Sequence, residues 1–157
     1  MFSYVVENSV LQLLFALCVL SIGGAAEDML PKVAGVGFPV LLSAVIVTAT
    51  RRQSVPAVLF AIAAGAFEDS LSSLPLMSSS SFFVLAVAWM RAADMPRVTA
   101  LLAYPAYQAM LPIWTGGFGA NMYMRILVAL PVGALTLAMV WLAVVFFERR
   151  AAIGEQG

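Results

Sequence analysis

Residues 65–81 read GAFEDSLSSLPLMSSSS, and the order of small, acidic and turn-forming residues in this stretch decides how the chain is organised. Upstream, Ala57, Ala61 and Gly65 recur every four residues. Helical residues four apart share a face, so Ala57, Ala61, Gly65 and Asp69 form one stripe on a helix that ends near Glu68 and Asp69. A groove of small residues leading to a carboxylate is how closely packed membrane helices present a polar group at the end of their contact. Leu74 and Pro75 then begin the next segment, whose first half is occupied by Ser78 to Ser81.

Composition sets the class of the surrounding chain. Hydrophobic side chains make up 63% of the 157 residues and charged ones only 10%, well above the roughly 45–50% apolar share of a soluble domain. The expected fold is all-α, a polytopic membrane helix bundle in a single domain, 1–157. The formal net charge is zero, which offers no basic footprint for nucleic acid. Cys18 is the sole cysteine and lies in an apolar run, so it reads as a small packing residue and not as half of a disulfide.

The charges and turn signals cut the sequence into six apolar segments, 8–26, 33–50, 54–69, 74–90, 98–114 and 126–147. The run 10–20 followed by Gly24, Ala25 and Ala26 has the outline of a secretory signal. The leading MFSYVVEN carries no Lys or Arg, so we read it as an uncleaved first span. Ser54 as N-cap and Pro56 in the first turn mark the start of the third segment. Pro105 and Pro112 predict a bent fifth helix, with Tyr104, Tyr107 and Gln108 positioned to satisfy backbone groups released at the bend. Gly116, Gly117, Phe118 and Gly119 read as a turn; no Lys and Ser/Thr follow, so this is not a phosphate-cradling loop.

Basic residues give the orientation. With six crossings, Arg51, Arg52, Arg91, Arg97, Arg149 and Arg150 share one side and only Lys32 and Arg125 lie on the other. The positive-inside rule places both termini in the cytoplasm, with Trp89 and Trp141 near the inner interface and Trp114 near the outer one. A re-entrant hairpin built from 54–69 and 74–90 would return Arg52 and Arg91 to the same side. Charge therefore leaves both layouts open.

Catalytic chemistry is poorly served. The chain has no histidine, the usual general base of nucleophile systems and the commonest metal ligand. Its one lysine, Lys32, stands beside Pro31 with no identifiable partner serine. Glu68 and Asp69 are adjacent on a helix and point about 100° apart, which disfavours paired acid–base work. We expect no enzyme, no cofactor and no metal site. Asp69 lies about 24 Å along the helix from Arg52, near the outer interface, where a charge costs far less than in the hydrocarbon centre.

These same residues carry a resemblance. An apolar helix, Gly65, Asp69, a short Ser/Leu-rich turn, Pro75-Leu76 and a further apolar helix resemble the signature of the rod shape-determining MreD family, G-x-x-x-D followed by L-L-S-G-x-P-L-G. Gly65, Asp69, Leu71, Ser72, Pro75 and Leu76 match as they stand, whereas Ser73 and Met77 replace two glycines of the pattern. The resemblance implies a non-enzymatic, multi-pass subunit of the bacterial inner membrane that serves lateral peptidoglycan synthesis and cell shape. Its implied partners are an MreC-like bitopic protein, a RodA-like glycosyltransferase, a class B penicillin-binding protein and, indirectly, MreB, all within membrane lipid. Ala57, Ala61, Gly65, Glu68, Asp69 and Pro75 are then structural or partner-binding residues, with the small-residue groove receiving another helix from the same chain or from MreC.

A second reading is a substrate-capture subunit of a vitamin-type transporter, with Glu68, Asp69, Asn121 and Tyr123 around an outer ligand site. Such subunits resemble one another in a small-residue pair near the start of the first span. Gln12, Ala16 and Leu20 supply none.

Overall fold

The computed structural model describes residues 17–27, 29–33, 35–51, 54–72, 74–93, 95–115 and 121–154. Six helices follow one another: α1 (Leu17–Glu27), α2 (Val40–Arg51), α3 (Ser54–Leu71), α4 (Ser78–Ala92), α5 (Pro96–Thr115) and α6 (Met122–Gly154). Among the described residues there is no strand, only an isolated bridge between Val33 and Val36. The all-helical bundle expected from the sequence is the architecture observed.

Two segment boundaries need correction. The apolar run 33–50 was expected to be helical throughout, yet α2 begins only at Val40. Val33 and Val36 exchange backbone hydrogen bonds of 2.9 Å across a tight turn whose Gly35 has φ 81°, a conformation glycine adopts freely. Pro39 follows, and its carbonyl accepts the N–H of Ser43 at 3.0 Å, so it starts the helix instead of interrupting it. The segment 74–90 likewise loses its first turn: 74–77 is non-helical and α4 starts at Ser78. Of the first segment, 8–16 lies outside the described residues, and 17–26 is helical.

α2 is the central pillar. Every residue from Leu41 to Val47 is buried, and α2 packs against α3, α4 and α6, which is the position a helix apolar on all sides requires. α3 pairs most closely with α4, and α5 with α6. Tyr104 of α5 ties the two halves together. Its hydroxyl donates to Ser43 Oγ of α2 at 2.8 Å, and Ser43 Oγ donates onward to the Pro39 carbonyl at 2.8 Å. Its ring lies so close to Gly133 of α6 that no Cβ fits there.

The helix α5 is continuous through Pro105 and Pro112. Tyr104 and Tyr107 were expected to satisfy carbonyls released by these prolines. Both hydroxyls instead reach other helices, and Gln108 Oε1 is buried without a partner among the described residues.

Large apolar side chains face outward on α3, α4, α5 and α6. Val55 and Leu59 on α3, Leu85 on α4, Ile113 on α5 and Leu127 on α6 are all more than half exposed. One stretch among the described residues, Met122–Phe146 of α6, is long and apolar enough to cross a membrane, and only 22% of its 18-residue apolar core is buried.

Candidate functional site

The α3–α4 hairpin and its acidic end concentrate the polar contacts of the molecule. Ala57, Ala61 and Ala64 are fully buried on α3, and Gly65 completes that face. A Cβ at Gly65 would fall on the backbone N and Cα of Ser80 and 2.7 Å from the Ser79 carbonyl carbon. Only glycine lets the two backbones approach this closely. The Gly65 end of the groove is thus filled from within the chain, by the first turn of α4. Ser80 Oγ fastens the contact by donating to the Ile62 carbonyl at 3.1 Å.

Asp69 lies one turn beyond Gly65 and is 5% exposed. Its Oδ1 accepts the backbone N–H of Ser79 at 2.9 Å. The reason is local: α4 starts after Met77, whose side chain makes no cap hydrogen bond, so the N–H groups of its first turn need an acceptor from elsewhere. Asp69 supplies it from α3, and the negative charge meets the positive end of the helix dipole. Asp69 Oδ2 is buried with no partner among the described residues.

Glu68 turns the other way, to α5. Its Oε1 accepts the Tyr107 hydroxyl at 2.7 Å. Since that hydroxyl has one proton and gives it to Glu68, the 2.9 Å contact between Ser79 Oγ and Tyr107 Oη has Ser79 as donor. A single chain of bonds therefore runs from Asp69 through Ser79 and Tyr107 to Glu68, joining three helices. Phe82, Phe83 and Trp114 pack around the Tyr107 ring, with centroids at 5.1, 5.8 and 6.2 Å. Pro75 is exposed in the connecting turn, where its carbonyl accepts the Ser78 N–H at 3.1 Å.

Met77 has φ 72° and ψ 6°, the left-handed conformation, and is the one non-glycine residue with positive φ among those described. The turn imposes this, because 74–77 must reverse direction while keeping Ser79 over Asp69.

Sequence reasoning missed Glu27. Its Oε1 accepts the backbone N–H of Leu41 at 2.7 Å, capping α2 as Asp69 caps α4. A signal existed: 24–31 reads GAAEDMLP and 65–75 reads GAFEDSLSSLP, two copies of a glycine, an acidic pair, a leucine and a proline, each preceding a helix. The glycines play related roles. A Cβ at Gly24 would lie 2.5 Å from the Phe67 ring and 2.8 Å from Leu71, so the end of α1 rests on the end of α3. The copies differ in register, since the capping acid of the first aligns with Glu68 of the second.

Among the described residues, no group of three or more His, Cys, Asp or Glu is placed to hold a metal ion. The contacts seen here among the described residues are helix caps and interhelical ties. Comparison with known proteins returns no matching family model, no matching curated protein and no matching solved structure.

Proposed function

We propose that this chain is a non-enzymatic, multi-pass inner-membrane subunit of the bacterial cell-elongation machinery, of the MreD kind, acting by binding partner membrane proteins. The membrane part rests on the outward-facing leucines, isoleucine and valine of α3, α4, α5 and α6, because a water-soluble helix of this size keeps a polar outer face. At 20 residues α5 covers about 30 Å, the thickness of a hydrocarbon core. α2, at 12 residues, covers only about 18 Å and α4, at 15, about 22 Å. These two helices start below the outer surface, and carboxylates from α1 and α3 cap them at that depth.

The observation that carries the MreD-like reading is the backbone of Met77. The family pattern has glycine at this position, and φ 72° is the conformation for which glycine is favoured. The matched residues also work as one unit: Gly65 admits α4, Asp69 caps it and Pro75 shapes the turn between them. The transport reading calls for Glu68 and Asp69 to face a solute. Both instead accept hydrogen bonds from within the bundle, and Asp69 is shut off from the surface, so the scaffold reading is preferred.

The test is recovery of partners. The chain, tagged at its C-terminus and expressed at native level, is extracted in mild detergent and its companions are identified. An MreC-like protein with a RodA-like polymerase and a class B penicillin-binding protein is the expected set. Paired ATPases with a coupling membrane subunit would replace this reading with transport.

A further inference from the structure

We propose that the arginine-bearing end of the bundle holds the headgroup of an anionic phospholipid, with Arg51 and Arg91 as its cationic contacts. The proposal rests on the membrane-spanning reading above. Arg51 closes α2 and Arg91 stands in the last turn of α4. Arg91 Nη2 donates to the Ala49 carbonyl at 3.2 Å, which sets its guanidinium against the last turn of α2, two residues from Arg51. The Arg51 guanidinium lies over the Trp141 ring of α6, 4.3 Å from its centroid. Helices α2, α4 and α6 thus bring two cations and an indole to the same end of the bundle.

The chemistry favours a phosphodiester. A guanidinium stacks through its face and meets phosphate oxygens through its edge, so stacking on an indole is compatible with binding an anion. The six arginines assigned to this end outnumber its four acids, Glu7, Asp94, Glu148 and Glu155, leaving it cationic.

The surface beside the arginines separates a lipid from free phosphate. Trp89 and Trp141 are 45% and 42% exposed, as expected of indoles at headgroup level. From them toward the middle of the bundle, Leu85, Leu135 and Met139 face outward, 54–62% exposed. A cationic crown over an apolar wall fits an anion that carries acyl chains.

The experiment uses the full chain in lipid nanodiscs with Trp89→Phe and Trp114→Phe, so that Trp141 is the reporting indole. Brominated phosphatidylglycerol or brominated phosphatidylcholine is titrated into unbrominated phosphatidylcholine, and quenching gives the relative affinity of each. The expected result is a preference for phosphatidylglycerol that falls about fivefold with Arg51→Gln and again with Arg91→Gln. The same preference should collapse in about 1 M salt with both arginines intact, where the screening length is about 3 Å, so a poorly folding variant does not decide the matter. Inorganic phosphate should leave the quenching unchanged. Equal affinity for the two lipids, a preference that survives both substitutions and salt, or displacement by phosphate would overturn the proposal. Quenching by both lipids without preference removes only the headgroup site, whereas quenching by neither removes the membrane-spanning reading as well.

Discussion

The carboxylate of Asp69 accepts the backbone N–H of Ser79 at 2.9 Å, so the last turn of one helix supplies the cap that the next helix lacks in its own sequence. Removing the acceptor strands a buried donor, which costs about 1–3 kcal/mol. Asp69→Ala should therefore lower unfolding stability by about that amount. Asp69→Asn retains an acceptor oxygen and relieves the unpartnered Oδ2 of its charge, so it should stay within about 1 kcal/mol of the parent chain. Denaturant titration of the two variants in mild detergent checks the order.

Gly65 meets backbone, not a movable side chain, and Gly65→Ala should be costly despite the small size of alanine. Overpacking typically costs about 1–3 kcal/mol, and a collision with the Ser80 main chain belongs at the upper end. Gly24→Ala, which meets only the Phe67 ring and Leu71, should cost less. Amide exchange at the start of α4 should quicken in Gly65→Ala alone. Equal effects of the two substitutions would contradict the packing described. Gly65→Leu should also abolish partner recovery if the hairpin organises the complex.

Met77→Gly is expected to stabilise. A left-handed residue with a Cβ costs about 1–2 kcal/mol, and the extra freedom of glycine in the unfolded chain returns roughly 0.5–1 kcal/mol. The net gain should be about 0.5–1 kcal/mol, visible as a higher denaturation midpoint. Met77→Val, with a branched Cβ, should move it the other way.

Tyr107→Phe preserves the ring packing against Phe82, Phe83 and Trp114 while removing both hydroxyl contacts. The expected loss is about 1–3 kcal/mol, because Glu68 loses its donor. Ser79→Ala in the same background should add little further, since both substitutions break one chain of bonds. A double-mutant cycle showing full additivity would mean that Ser79 and Glu68 are satisfied independently.

Much of the architecture is written in the pattern of charges and turn residues. Arginines and acidic pairs mark the helix ends, and the four-residue spacing of Ala57, Ala61 and Gly65 identifies the buried face of α3. The start of α2 was not legible in the same way. Val33, Val36 and Phe38 are as apolar as the helix that follows, so composition runs unbroken across a turn that only Gly35, Gly37 and Pro39 betray. The serines of α4 mislead for a different reason. A run of hydroxyls suggests an exposed or irregular segment, yet Ser78, Ser79 and Ser80 are buried, with Ser79 and Ser80 reaching Tyr107 and the Ile62 carbonyl. Those acceptors lie 28 and 18 residues away, beyond any local pattern. Asp69 could be singled out by periodicity, whereas Glu27 becomes visible only when 24–31 is laid beside 65–75.

The helix α2 receives its N-terminal acceptor from Glu27, 14 residues behind Leu41, and a donor for its last turn from Arg91, 42 residues ahead of Ala49. The first partner has already left the ribosome when α2 emerges; the second has not. At about 5–20 residues per second, the far end of the pillar waits roughly 2–8 seconds for the arginine that ties it down. During that interval a short apolar helix stands with one end satisfied.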